Sequence, residues 1–164
     1  YVINGLNELF LLNISIEKQQ ELASQLGSDC PFFIRNTAQL VTGRGEQLQP
    51  IHLKLSGYHL IVVKPSIHVN TRQAYSGVYI SGDRGKLEEQ LLLPVTEWKA
   101  HIKNDFEEHL FVLYPELSEI KTKLYEAGAV YASMSGSGSA VFGIFETVPQ
   151  HFNTEGCIVF QSSF

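Results

Sequence analysis

Three stretches of this 164-residue chain hold residue types that do chemistry. In Gly27-Ser28-Asp29-Cys30-Pro31-Phe32-Phe33, a carboxylate stands two residues before a proline and beside two aromatic rings. Asp29 has two readings. It caps the helix that Pro31 enters, or it is a general base, positioned and partly desolvated by Phe32 and Phe33. The spacing is compatible with both. In Ser133 to Ser139, small residues let main-chain N–H groups converge on an anion, and glycine permits the backbone angles this needs. A plain turn between two strands would read the same way. In Lys64 to Tyr75, polar residues gather after a strand that Pro65 ends, a common place for ligands. The alternative there is a solvated loop capped by Thr71, with Tyr75 packing as an ordinary amphipathic aromatic and His68 at the surface. Asn104-Asp105 reads as the solvated face of a long helix. Cys30 has no histidine beside it in sequence and reads as a buried structural residue.

The composition narrows the classes. Apolar types make up 44% and aromatics 11% of the chain, enough for a hydrophobic core. Twelve Lys and Arg against seventeen Asp and Glu leave a net charge of −5. That argues against a broad grip on nucleic-acid phosphates. No apolar run approaches the ~20 residues of a membrane-spanning helix. Cys30 and Cys157 have neither zinc-site nor disulfide-framework spacing, and the six histidines show no paired metal-ligand pattern. A metal cage built from protein ligands is not supported, and a reduced, cytoplasmic setting is the simpler reading.

The elements that must hold these residues follow from periodicity. Leu6, Leu9, Phe10 and Leu12 recur at helical spacing, predicting a helix from Tyr1 to Leu12. Its start at residue 1 without a cap, with Met134 as the single methionine, reads as a piece of a longer polypeptide. Ser15 caps a second helix to about Leu26, and Gly27 stops it. Phe32 to Ile34 form a short buried helix. Residues 38–41 and 46–51 flank a glycine turn as a β-hairpin. His59 to Val63 reads as a strand buried on both faces. A short helix spans about 70–77 with Asn70 or Thr71 as its cap, and residues 80–86 form a loop. Trp98, Ile102, Phe106, Leu110 and Leu113 predict one long helix from Glu97 to Leu113. Pro115 opens another, which Gly128 stops. Strands at 130–134, 140–145 and 157–160 complete the chain. The fold class is α+β: a sheet with helices on one face, and a domain boundary near residues 52–58.

Taken in order, Leu26 to Phe33, Gly43-Arg44-Gly45-Glu46, Val63-Lys64-Pro65 with Val69-Asn70-Thr71 and Tyr75, Asn104-Asp105-Phe106-Glu107, and Ser135 to Phe142 resemble the motifs of the GHMP kinases. This superfamily comprises galactokinase, homoserine kinase, mevalonate kinase and phosphomevalonate kinase. The resemblance covers nearly the whole chain. It is most specific in Asp29-Cys30-Pro31-Phe32-Phe33, which points to the branch that phosphorylates a cytidine diphosphate-linked methylerythritol. The Ser-Gly-Ser-Gly loop is shared across the superfamily. Cys30 departs mildly from the usual small aliphatic residue, and Tyr75 stands where a Phe is often seen.

The resemblance implies the following. Residues 1–55 are the remainder of an N-terminal, ATP-binding domain like the second domain of ribosomal protein S5. Residues 56–164 are a C-terminal domain with a ferredoxin-like α/β sandwich. The reaction is transfer of the γ-phosphoryl of ATP, with Mg²⁺ carried by the nucleotide, to the 2-hydroxyl of that small-molecule substrate in the non-mevalonate route to isoprenoids. Asp29 accepts the hydroxyl proton. Thr71 and Tyr75 line the cytidine pocket, and Gly136, Ser137 and Gly138 support the phosphate loop. That loop, with the lysine that partners the aspartate, would stand before Tyr1. Residues 1–164 alone are therefore expected to bind ATP weakly and not to turn over. Two alternatives stay open at this point: another GHMP small-molecule kinase, and a non-catalytic α+β ligand-binding module.

Overall fold

The computed structural model describes residues 1–43, 45, 47–78, 86–150, 152 and 154–164. Of the loop expected at 80–86, only Lys86 lies among them, and Arg44 and Glu46 of the glycine turn lie outside. The chain divides into two compact units, Tyr1–Leu53 and Lys54–Phe164.

The first unit begins with helix α1 (Val2–Leu9). It is shorter than its periodicity predicts, because the chain turns at Leu11, which takes a left-handed φ of 51°. Asn7 then fastens the return: its side chain accepts from the Ile14 N–H and donates to the Ile14 carbonyl. Helix α2 (Ile16–Ser24) is capped by the Ser15 hydroxyl, which accepts from the Lys18 N–H at 3.3 Å, as expected for serine at this position. Gln19 is buried and donates to the Ile14 carbonyl. Helix α3 (Phe32–Arg35) buries Ile34 and ends at Asn36 in the left-handed conformation. Strands β1 (Gln39–Thr42) and β2 (Gln47–Pro50) pair antiparallel as the expected hairpin.

The second unit is built on β3 (His59–Lys64), β4 (Tyr131–Met134), β5 (Val141–Phe145) and β6 (Ile158–Ser163). These form one antiparallel sheet in the order β4-β5-β3-β6. This is the strand order of a ferredoxin-like sandwich. Among the described residues between β5 and β6, no helix occupies the place of the second crossover. Between β3 and β4 come α4 (Thr71–Ser76), α5 (Leu87–Leu91), a 3₁₀ turn (Val95–Glu97), α6 (Trp98–His101), α7 (Phe106–Leu113) and α8 (Pro115–Glu126). Helix α8 lies on β4 and β5, and α7 packs on α8. Ile61, Val63, Leu110, Leu117, Leu124, Met134, Val141 and Phe145 meet in the core, each at most 2% exposed. Burying one such side chain contributes about 1.5–3 kcal/mol.

Two expectations are corrected here. Strand β3 is not buried on both faces. Ile61 and Val63 face the core, while Leu60 and Val62 stay half-buried, because in this antiparallel sheet the helical core covers only alternate residues. The helix expected from Glu97 to Leu113 is broken between His101 and Phe106. Asn104 breaks it: its Oδ1 accepts from the Phe106 N–H at 3.0 Å, a local bond that competes with continuous helix and starts α7 afresh. The side chain's amide donates instead to the Met134 and Gly136 carbonyls.

Candidate functional site

In the first unit, Asp29 lies in the turn between α2 and α3. It does not cap α3, which has no side-chain cap. It is exposed rather than desolvated, and its Oδ1 accepts from the Ser28 hydroxyl at 3.2 Å. Phe32 and Phe33 stack edge to face with centroids 5.2 Å apart. Pro31 and Ile34 are buried, and Phe33 remains 48% exposed. The carboxylate is therefore open to solvent rather than enclosed. Cys30 is half-buried, with its Sγ 3.4 Å from where a Gly27 Cβ would lie.

In the second unit the other candidate residues come together. The cap of α4 is Asn70, not Thr71: its Oδ1 accepts from the N–H groups of Arg72 and Gln73 at 2.9 and 3.4 Å. Thr71 occupies the first helical position with an exposed side chain. One turn on, Tyr75 is 64% exposed. Its ring packs edge to face on Phe106, with centroids 5.0 Å apart and planes at 82°. This orients the phenol ring while leaving it open to stack a flat ligand. Helix α4 is further held on α7. The Tyr114 hydroxyl donates to Gln73 Oε1, and Gly77 lies so close to His109 that a Cβ there would collide with the imidazole.

The small-residue loop 135–139 joins β4 to β5. Its N–H at Ser135 donates to the Ala140 carbonyl, and that at Gly138 to the Ser135 carbonyl. Both glycines are required, for different reasons. Gly138 has φ +85°, and a Cβ would stand 2.8 Å from Met134 Sδ and 3.6 Å from Val69. Gly136 has φ +53°, with open space where a Cβ would be, so a ligand can approach its main chain closely. That suits a loop laid against phosphates. Among the described residues no group of three His, Cys, Asp or Glu could hold a metal ion.

Asn104, read from the sequence as part of a solvated helix face, is instead tied by its side chain to the glycine loop. Its Nδ2 donates to the Met134 carbonyl at 2.7 Å and the Gly136 carbonyl at 2.8 Å, while its Oδ1 accepts from the Phe106 N–H at the start of α7. One side chain thus links the glycine loop to the residue under Tyr75. The signal in the sequence was the asparagine itself, a strong helix-capping type inside an apparent helix. Glu107, to which the sequence reading gave no role of its own, accepts from the Met134 N–H at 2.7 Å. An open cavity of about 530 Å³ between the 65–67 turn, α8 and residues 154–157 contains none of the candidate residues.

The chain resembles known proteins across most of its length. Residues 91–151 match the family described as GHMP kinases C terminal. The 4-diphosphocytidyl-2-C-methyl-D-erythritol kinase of Parabacteroides distasonis is 45% identical over 155 residues, covering 94% of this chain and 57% of the relative. The protein of the same name from Azobacteroides pseudotrichonymphae is 49% identical over 147 residues, covering 89% and 55%. A crystal structure of 4-(cytidine 5'-diphospho)-2C-methyl-D-erythritol kinase superposes with a TM-score of 0.64 at 31% identity, covering 85% of this chain and 51% of that one. Homoserine kinase from Cytophaga hutchinsonii shares the fold, with a TM-score of 0.66 at 18% identity. The chain spans a little over half the length of the curated relatives it matches.

Proposed function

We propose that this chain, which resembles a C-terminal portion of the GHMP kinases, takes part in ATP-dependent phosphorylation of an alcohol, the 2-hydroxyl of 4-diphosphocytidyl-2-C-methyl-D-erythritol. In this reading residues 1–55 belong to an ATP-binding domain and residues 56–164 form the C-terminal domain. The observation that carries it is the arrangement around Asn104. A glycine loop with an approachable backbone and an aromatic ring open for stacking are tied to one side chain. That is a phosphate-facing surface and a base-facing surface held in register.

The roles follow from the chemistry. Tyr75 stacks on the cytosine face, and Thr71 at the start of α4 contributes a hydroxyl beside it. Gly136, Ser137 and Gly138 support the loop that holds the phosphates. Bound ATP with its Mg²⁺ supplies the phosphoryl group and neutralises its charge. As the substrate's 2-hydroxyl oxygen forms its new bond to phosphorus, the bond to the departing ADP oxygen breaks, and Asp29 takes the hydroxyl proton. Being exposed, Asp29 depends on the bound substrate to bring that proton within reach. The named relatives support this substrate in preference to other alcohols.

The test is ADP release by the polypeptide of the complete reading frame, with 4-diphosphocytidyl-2-C-methyl-D-erythritol as acceptor. Turnover is expected to fall about 10²–10⁴-fold in Asp29→Asn, with stability within about 0.5 kcal/mol, as for an exposed substitution. Near wild-type turnover in the variant would overturn the base assignment. No acceptor-dependent ADP would overturn the substrate. Residues 1–164 alone are expected to show only background release.

A further inference from the structure

Lys64, at the end of β3, has no role in the reading above, yet its ammonium is fully engaged. It donates to the Pro65 carbonyl at 2.9 Å, the Ile67 carbonyl at 3.2 Å and the Ser139 hydroxyl at 2.8 Å. These are all the donors a lysine has. Ser139 is 3% exposed, and its hydroxyl in turn donates to the Ile67 carbonyl at 2.5 Å. The three groups form a closed triangle between two segments more than seventy residues apart in sequence.

Each segment leads into one half of the candidate site. Residues 65–69 run directly into Asn70, the cap that sets Thr71 and Tyr75. Ser139 ends the glycine loop, and Val69 lies 3.6 Å from the Cβ position of Gly138. Asn104 and the Tyr75–Phe106 contact join the same two segments on the other side. The contacts therefore make a ring: glycine loop, Lys64 clamp, Asn70 cap, Tyr75, Phe106, Asn104, and back to Gly136. Lys64 closes that ring with a charged donor, and hydrogen bonds to charged groups are stronger than neutral ones.

We propose that Lys64 is a positioning residue that couples the phosphate-facing loop 135–139 to the base-facing helix α4, so that a change in one is felt in the other. The proposal rests on the reading above for what the two halves bind, but the coupling itself does not. An arginine could not replace it, because a planar guanidinium cannot direct its donors at three converging oxygens as a rotatable ammonium can.

The experiment is amide hydrogen exchange on the 164-residue chain, comparing wild type, Lys64→Met, Lys64→Arg and Ser139→Ala. Lys64→Met and Ser139→Ala are expected to raise exchange about tenfold both in residues 135–139 and in the first turn of α4. Exchange in β4 and β5 should be unchanged, and Lys64→Arg should not restore protection. Faster exchange in one segment alone overturns the coupling. A uniform rise across the sheet also overturns it, since it would make Lys64 a general stabiliser. A parallel arm uses the polypeptide of the complete reading frame. There, Lys64→Met is expected to raise KM for ATP and for the alcohol together, several-fold each, and a rise in only one overturns the proposal. If wild type has no acceptor-dependent turnover while the exchange pattern holds, the proposed substrate fails and the coupling stands.

Discussion

At one edge of the four-stranded sheet every residue of β4 is buried; at the other, every residue of β6 is exposed. The two strands have the same partner geometry and opposite fates. Strand β4 is covered by side chains sent from distant helices. Tyr125 on α8 both accepts from the Ala132 N–H and donates to the Ala132 carbonyl. Glu107 on α7 accepts from the Met134 N–H at 2.7 Å and the Ser133 hydroxyl at 3.1 Å, and pairs with Lys121 at 2.6 Å. These bonds use up the outward main-chain groups that an edge strand would otherwise offer to another chain. Strand β6 pairs with β3 and, among the described residues, with no other strand. It carries no charge and no proline, and Ile158 and Phe160 are 74% and 58% exposed. The lesson is that the glycine loop grows out of the protected edge. Loop 135–139 follows Met134 directly, so the groups that seal β4 also set the base of the candidate site.

The comparison breaks most severely at Glu107. Glu107→Ala leaves the Met134 N–H and the Lys121 ammonium without their acceptor in a largely buried place. A loss of about 3–5 kcal/mol is expected, read from urea unfolding. Glu107→Gln should lose less, since its amide oxygen still accepts from Met134. A loss below about 1 kcal/mol in Glu107→Ala would mean that the edge is held by packing alone.

Alkali tests the same edge without mutation. Burial, with a contribution from the Glu107 charge, pushes the Tyr131 phenol up to about 12 from 10; burial likewise raises Tyr125. Above pH 10 the unfolded chain gives up the Tyr131 proton while the folded chain keeps it. Stability is then complete below pH 10 and falls as pH rises toward 12, by on the order of 2–3 kcal/mol in all. Thermal melts at pH 9, 10 and 11 should show the onset, and Tyr131→Phe should flatten it. Equal slopes in both proteins would remove Tyr131 as the cause.

The smallest effect on stability belongs to β6. Phe160→Lys places a charge on the open edge, at a ring that is largely exposed. Unfolding is expected to shift by no more than about 0.5 kcal/mol, while self-association at high concentration, followed by light scattering, should decrease. A loss as large as that at Glu107 would show that β6 is a structural partner after all.

Much of the fold was legible because its signals are local. Ser15 as a cap, Pro115 at the first position of α8 and Gly128 at φ +98° after it act within a few residues of themselves. Such effects survive in any tertiary setting. The residue types at the candidate site were legible for the same reason: glycines at positive φ, an aromatic on a short capped helix and an aspartate in a turn. The break in the helix predicted from Glu97 was not, because apolar spacing continues through it unchanged. Only the carbonyls of Met134 and Gly136, thirty and thirty-two residues further on, make it worthwhile for Asn104 to leave the helix. The same holds for Glu107 and Lys64. Their charges look solvated in one dimension, and their acceptors and donors are assembled only when β4, β5 and the helices pack. Sequence alone determined most of the element starts and stops and which residues could do chemistry. Tertiary structure decided which of those residues are joined, since hydrogen bonds across such separations exist only after the core has brought their ends together.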